Sequence, residues 1–529
     1  MTLPRWRLSE VPWHPPVLAA TVVLSYWLDV VVSPHAAFRS LLMAVVGAAA
    51  LTLILWALLR SPQLAGIAAT ALIGLLFSKH LVDVVSDLSA RAPAAIFIVW
   101  ALLILLLGVL VVRLVIRTRA RWSAMRLNQI LNRGALLLFA STIGFGIVSG
   151  RLPYGAGDLE HGVPLDEART TSSEVDAAGE LPDIYLLLLD GYPRADVLAH
   201  AFDIDNSAYV DALADRGFEV ATDSHSDYLW TRQSLTSMLH MAYVDQIPAF
   251  QAVVAGRAPE HPTLRELIVQ NPAFDLVRDR GYQVVATGYE FEEEALRQAD
   301  VYVDGGHLNE FEFKLMVSTF LGDVLAVVTP DLASGQHRDR IEYQLDSLGR
   351  IAAAGGEEPR LVMGHIPAPH QPAVFGPNGE PVVVPISRLF YADSPEERGE
   401  PMEEFKQRYR DQLEYLNQRF LETVDAIQAS SAEPPVIILW ADHGSATRAN
   451  WVIQPWQTAD PDVVLERTGT LFAASTPGRS DVFPNDISPA SIFRYLADAY
   501  LYTDLGRAEP PIDGLHIPPV DASALGDGG

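Results

Sequence analysis

The sequence predicts two kinds of structure in one chain. An N-terminal α-helical bundle of about five transmembrane spans is followed by an α/β domain with a mostly parallel sheet. Long uncharged apolar runs recur through residues 1–150, and from Leu181 onward short apolar runs alternate with amphipathic stretches. Charge divides the same way. Residues 1–150 carry 12 Lys and Arg against 4 Asp and Glu; the remainder carries 26 against 61, giving the net charge of −27. The acidic part lacks the basic footprint that nucleic-acid binding needs. With no cysteine in the chain, disulfides, thiol nucleophiles and zinc–thiolate sites are excluded.

Ser40–Leu59 and Ala94–Val112 hold no charged residue, and each is long enough to cross a hydrocarbon core of about 30 Å as a helix. Three weaker runs are Pro16–Ser33, interrupted by Asp29; Gln63 to about Val85, interrupted by Lys79, His80 and Asp83; and Gly134–Gly150. Each of these also fits a buried amphipathic helix. A cleavable signal peptide fits poorly, because apolar segments recur over about 130 residues. Arg113, Arg117, Arg119, Arg121, Arg126 and Arg133 cluster between the fourth and fifth runs, and cytoplasmic loops collect such charge. With Arg5 and Arg7 they put the N-terminus in the cytoplasm and everything after residue 150 outside it. Asp29, Lys79, His80 and Asp83 then fall near outer helix ends, where they could snorkel to headgroups or line a lipid entry path. Residues 151–180 are polar, small and acidic and read as a flexible linker; residues 506–529 read as a tail.

In the soluble part, strands are expected at Ile184–Leu189, Phe218–Ala221, Gln283–Gly288, Leu361–Ile366, Val436–Trp440 and Thr470–Ala474. Helices are expected at Ser207–Arg216, Leu264–Arg280, Glu403–Ser430 and Pro489–Tyr502. Strands alternating with helices imply a parallel sheet covered on both faces.

Polar residues gather where such strands end. "PPVIILWADHGSATR" closes a greasy strand with Asp442 and His443, a carboxylate and an imidazole suited to holding a metal. "PDIYLLLLDGYPR" puts Asp190 at the end of the first strand, and "LVMGHIPAPHQPAVF" puts His365 at another strand end with His370 five residues on. "YLWTRQSLTSMLHM" places Thr231 in a loop before a helix starting near Ser234. Each has an ordinary explanation as well. Asp190 could form an Asx-turn with Gly191, Thr231 or Ser234 could be an N-cap, and either histidine could be a satisfied core or surface residue. Their shared position matters more, since the carboxyl ends of parallel strands are where open α/β sheets place their ligands.

The order of these motifs resembles the alkaline phosphatase/sulfatase superfamily: Asp-Gly after the first strand, a hydroxyl loop, His…Pro-His-x-Pro, then Asp-His-Gly after a late strand. More narrowly, it is similar to the membrane-anchored branch that includes lipoteichoic acid synthases and related phosphoglycerol or phosphoethanolamine transferases. The resemblance implies an alkaline-phosphatase-like catalytic domain over 181–505, outside the cytoplasm. It also implies that Asp190, Asp442 and His443 bind one divalent metal. Thr231 would be the nucleophile and a further ligand, and His365 and His370 would contact the transferred group or the leaving oxygen. Carboxylate, hydroxyl and imidazole donors suit Mn²⁺ or Mg²⁺, with Zn²⁺ as a third choice.

Departures narrow the reading. Sulfatases convert a Cys or Ser within a Cys/Ser-x-Pro-x-Arg pattern, whereas this chain has "TRQSL", whose threonine cannot give the aldehyde. No second metal set resembling that of the phosphatases is present in the sequence, and lipoteichoic acid synthases often carry Glu where this chain has Asp190. The function expected is a phosphotransferase or phosphoester hydrolase acting on membrane lipid headgroups or envelope glycopolymers. The competing class is a non-catalytic member of the fold that binds envelope polymers or partners. On the topology just derived, a reporter fused after Glu160 is expected to be active outside the cytoplasm and one fused between Arg117 and Arg133 inside; the opposite pattern overturns the orientation.

Overall fold

The computed structural model describes residues 10–30, 34–79, 121–148, 181–256, 260–289, 291, 294–356, 358–385, 394–451, 455–511 and 515–520. The chain divides into two compact units. One comprises Met1–Gly155 with Leu308–Thr329, the other Ala156–His307 with Pro330–Gly529. Residues 308–329 thus depart from the uninterrupted span of 181–505 that the sequence suggests.

Helices His14–Val30, Pro34–Leu59, Pro62–Leu76 and Arg121–Val148 build the first unit. Among the described residues two are long and apolar enough to cross a membrane, over Ala36–Leu59 and Ala124–Val148. The run expected from Pro16 is a 17-residue helix. The one expected from Gln63 ends at Leu76 after 15 residues. Ala94–Val112, His80, Asp83, Arg113, Arg117, Arg119, the linker 151–180 and the end of the tail lie outside the described residues. Among the described residues, two long apolar helices stand against the expected five spans, of which Ala94–Val112 lies outside the described residues.

Arg126 and Arg133 require a correction, because they lie within the continuous helix Arg121–Val148 and not in a loop. No glycine or proline interrupts residues 121–133, and the polar side chains there find partners. Asn132 accepts from the His14 backbone N–H at 3.1 Å and donates to the Val11 carbonyl at 3.0 Å. Asn128 Oδ1 lies 3.3 Å from His14 Nε2.

The second unit is built on a seven-stranded sheet. Its strands are β1 (Ile184–Leu189), β2 (Glu219–Val220), β3 (Gln283–Thr287), β4 (Val301–Val303), β5 (Arg360–Ile366), β6 (Val436–Trp440) and β7 (Phe472–Ser475). The spatial order is β2-β7-β6-β1-β5-β3-β4. β6, β1, β5, β3 and β4 run parallel, whereas β7 pairs antiparallel with β6 and β2 antiparallel with β7. The sheet is therefore mixed, with its antiparallel strands confined to one side, a common arrangement for α/β sheets.

β1, β5 and β6 are buried along their whole length, as the unbroken apolar runs of β1 and β6 require. Alternate β1 residues Ile184, Leu186 and Leu188 share one core with helices Thr231–His240, Pro272–Asp279 and Pro489–Tyr500. Helix Leu332–Ala354 packs on β5 and against the long helix Met402–Ser430.

The single helix expected over Leu264–Arg280 is two, Glu260–Val269 and Pro272–Asp279. Pro272 has no N–H to continue the first helix, and the Asn271 side chain accepts from the Phe274 N–H at 2.9 Å to start the second. Asn271→Ala removes this cap and is expected to cost about 1–2 kcal/mol, measured by urea unfolding of the full chain.

Candidate functional site

Three parallel strands bring the candidate residues to one level. Leu188 of β1 pairs with His365 of β5 on one side and Trp440 of β6 on the other. Asp190 follows β1 directly and Asp442 lies two residues past β6, so both carboxylates emerge at the carboxyl edge of adjacent strands. The backbone fixes these exits: the Asp190 N–H donates to Ile366 O at 3.0 Å, Ala441 N–H to Leu471 O at 3.0 Å, and His370 N–H to Asp190 O at 2.9 Å.

Two glycines are required here. Gly191 has φ of +69°, and a Cβ on it would lie 3.2 Å from the His370 ring. A Cβ on Gly444 would lie 2.3 Å from the Glu466 carbonyl oxygen.

Both carboxylates are buried, Asp442 completely. Asp190 Oδ2 accepts from the Tyr289 hydroxyl at 3.0 Å and lies 3.3 Å from His365 Nε2; Asp442 Oδ1 accepts from the Gly191 N–H at 3.2 Å. The other oxygens, Asp190 Oδ1 and Asp442 Oδ2, are buried with no hydrogen-bond partner. His443 donates from Nδ1 to the Gly444 carbonyl at 2.9 Å, which leaves Nε2 facing inward. That nitrogen sits 3.6 Å from Asp190 Oδ1, 3.4 Å from Asp442 Oδ2 and 3.4 Å from Thr231 Oγ1.

The environment pushes the two acids apart. Burial works against ionisation of Asp190, but the imidazoles of His370, His365 and His443 outweigh it and hold this carboxyl below the usual range. Burial and then the Asp190 charge push Asp442 up to about 6, against a weaker pull from Thr231, His365 and the Gly191 N–H.

Asp190, Thr231, Asp442 and His443 thus meet, and His370 joins them. Asp190, His370 and His443 each offer a ligand atom within 4.8 Å of the others. This trio differs from the ligand set implied by the resemblance, which has Asp442 and Thr231 in place of His370. His365 is buried, stacked on Tyr289 with ring centroids 3.6 Å apart, and bonded to Asp190. It is therefore placed to orient that carboxylate, while the resemblance implies contact with a transferred group.

Thr231 begins the helix Thr231–His240, three residues earlier than expected, with Trp230 at the N-cap and no side-chain cap bond. Ser234 is therefore not an N-cap. It is buried inside the helix and donates to the Asp442 carbonyl at 2.8 Å. Sequence reasoning also missed Tyr289 and Gln344. Tyr289 follows β3 by two residues, a strand-end signal like the others. Gln344 lies mid-helix and donates 2.6 Å bonds to the Gly288 and His365 carbonyls, which no local pattern foretells.

No family model and no curated protein matches the chain. Solved structures do. The C-terminal periplasmic domain of EcEptC from Escherichia coli is 13% identical, covering 64% of this chain and 88% of its own, with a TM-score of 0.39. That of the phosphoethanolamine transferase EptC from Campylobacter jejuni is 11% identical, covering 63% and 92%, at 0.39. The phosphonate monoester hydrolase of Agrobacterium radiobacter is 14% identical, covering 60% and 73%, at 0.39. The chemistry is read from the residues of the site itself.

Gly444→Ala must displace either the Asp442–His443 turn or the Glu466 backbone. It is expected to cost about 1–3 kcal/mol in urea unfolding and to weaken divalent-metal binding in calorimetry.

Proposed function

We propose that this chain is a membrane-anchored, divalent-metal-dependent phosphotransferase or phosphoester hydrolase with Thr231 as its nucleophile. It acts outside the cytoplasm on lipid- or glycan-linked phosphoesters. The observation that carries the reading is the Thr231 hydroxyl, 3.4 Å from His443 Nε2 and beside two buried carboxylates that each keep one unpartnered oxygen. The long apolar helices over Ala36–Leu59 and Ala124–Val148 support the anchored part.

The unpartnered oxygens also test whether a metal fits. A buried carboxylate oxygen without a donor is costly, and a cation is the partner that satisfies two of them together. Asp190, Asp442, His443 and Thr231 would hold the ion. Carboxylate and hydroxyl oxygens with one imidazole suit Mn²⁺ or Mg²⁺, with Zn²⁺ as a third choice. When bound, the metal lowers the pKa of the threonine hydroxyl and neutralises charge developing on the phosphoryl group.

The chain's own residues do the rest. Thr231 is the first residue of a ten-residue helix, and the partial positive charge of a helix N-terminus favours a phosphoryl anion there. The threonine oxygen attacks phosphorus as its proton passes to solvent, and the bond to the leaving oxygen breaks, giving a phosphothreonine. An acceptor hydroxyl or water then attacks that phosphorus, the bond to the threonine oxygen breaks, and the proton the acceptor releases restores the Thr231 hydroxyl. His370, only half-buried, is placed to supply a proton to the leaving oxygen. His365 keeps Asp190 in position through its 3.3 Å contact.

Two experiments test this reading. Full-length protein incubated with Mn²⁺ and labelled membrane phospholipids is expected to yield a labelled phosphothreonine at Thr231 by mass spectrometry. Thr231→Ala should lose turnover by several orders of magnitude while staying folded. Calorimetry should show that Asp442→Ala and His443→Ala each lose tight binding of one divalent ion. No turnover with any metal or phospholipid, with metal binding intact, favours the non-catalytic class; unchanged metal affinity in both variants removes the metal from the reading.

A further inference from the structure

Residues 308–329 lie between β4 and the helix Leu332–Ala354 in sequence, yet they belong to the first compact unit. They form two short helices, Glu310–Val317 and Phe320–Val328. The first is tied down by its apolar face: Phe311 and Leu315 share a core with Val23, Ala36 and Ala37. Its start is fixed by a reciprocal cap between Asn309 and Glu312, and Asn309 also donates to the Ala36 carbonyl at 3.1 Å.

The second helix, FLGDVLAVV, behaves differently. Leu321, Val324, Val327 and Val328 are exposed, Val327 to 82% and Val328 to 70%. Leu321, Val324 and Val328 follow a three-then-four spacing, so they share one helix face, and Val327 adjoins it. Four large apolar side chains on one side of a nine-residue helix form a patch that water does not favour.

Charge in the segment is neutralised locally. Of its four charged residues, Glu310 pairs with Lys314, Glu312 with Arg39, and Asp323 with Lys79 at 2.6 Å. Lys79 also donates to the Val317 carbonyl at 3.0 Å. These partners give the depth. Arg39 and Ala36 lie near the start of Pro34–Leu59, and Lys79 just past the end of Pro62–Leu76. The two helices are joined through Arg60 and Ser61, so the start of one and the end of the next lie at the same end of the hairpin. The segment therefore sits where apolar helices meet polar residues, the level at which amphipathic helices enter a bilayer surface.

We propose that the helix Phe320–Val328 docks its Leu321, Val324, Val327 and Val328 face into the lipid bilayer. The occupant is lipid because the patch is continuous with a unit whose helix Ala36–Leu59 is itself apolar and only 11% buried by protein over its most apolar window. The paired charges remove most of the cost of placing this segment at an apolar boundary. This inference rests on the membrane part of the proposed function, not on the chemistry of the site.

Because the chain has no cysteine, single cysteines can be placed at will. Leu53→Cys in the long apolar helix, Val327→Cys in the docking helix and Glu414→Cys on the second unit each change an exposed residue. Each full-length variant is labelled with an environment-sensitive fluorophore and reconstituted into phosphatidylcholine–phosphatidylglycerol vesicles containing brominated acyl chains. At Val327→Cys, emission is expected to shift to the blue and to be quenched several-fold, as at Leu53→Cys, while Glu414→Cys reports water. If Val327→Cys behaves like Glu414→Cys while Leu53→Cys reports lipid, docking is overturned and the membrane span stands. If both Leu53→Cys and Val327→Cys report water, the membrane reading falls, and docking with it. A blue shift at Val327→Cys that depends on protein concentration and escapes bromolipid quenching assigns the face to a second copy, which also overturns the proposal.

Discussion

Two carboxylates buried at the ends of neighbouring strands govern the second unit. Asp190 follows β1 and Asp442 follows β6, and parallel pairing of these strands leaves them no route apart. Like charges this close in a low-dielectric interior cannot both ionise without compensation. The compensation present is cationic or donor chemistry: His443 and His370 beside the acids, His365 and Tyr289 on Asp190, and the Gly191 N–H on Asp442. One oxygen of each acid is left over. A site built this way has a standing requirement for positive charge, which is the property that suits it to a metal.

Much of the surrounding structure serves to keep that arrangement from relaxing. The Asp442 backbone carbonyl is held by the hydroxyls of Ser234 and Ser226, one from the helix that begins with Thr231 and one from the loop before it. The absence of a Cβ at Gly444 lets the turn pass against the Glu466 carbonyl, and the His443 tautomer is fixed by the Gly444 carbonyl. Gln344 reaches from its helix to the carbonyls of Gly288 and His365, joining the ends of β3 and β5. Local relaxation of any one acid would break bonds to at least one other element.

The sequence made some of this legible and hid the rest for identifiable reasons. β1 and β6 were readable to the residue because a fully buried parallel strand is an unbroken apolar run bounded by turn residues. β4 was missed because three residues at an edge carry too little pattern. The break at Asn271-Pro272 was written in the sequence, but the apolar periodicity on both sides masked it. Asp190, Thr231, Asp442, His443, His365 and His370 were all visible as polar residues beside strand ends, and the structure gathers them. What spacing alone could not assign was which imidazole faces the acids directly and which sits behind one of them, because that depends on the side-chain direction of His365 inside β5 and on the loop that returns His370 over Gly191. The return of residues 308–329 to the first unit was equally hidden, since its apolar spacing resembles that of any helix packed in a soluble core.

Under the proposed mechanism, the question of which hydroxyl attacks turns on the same packing. Thr231 and Ser234 are one helical turn apart and face the same region, so spacing does not separate them. Burial does. Ser234 is wholly enclosed, its proton goes to the Asp442 carbonyl, and it is hydrogen-bonded to Ser226 at 3.1 Å as well. Using that proton for chemistry would release the carbonyl that fixes the acid. Thr231 is only half-buried at the open end of the helix, and the His443 nitrogen that faces both acids also faces its oxygen. A nucleophile must be reachable by substrate and able to change its bonding without unlocking its neighbours, and of the two hydroxyls only that of Thr231 meets both conditions.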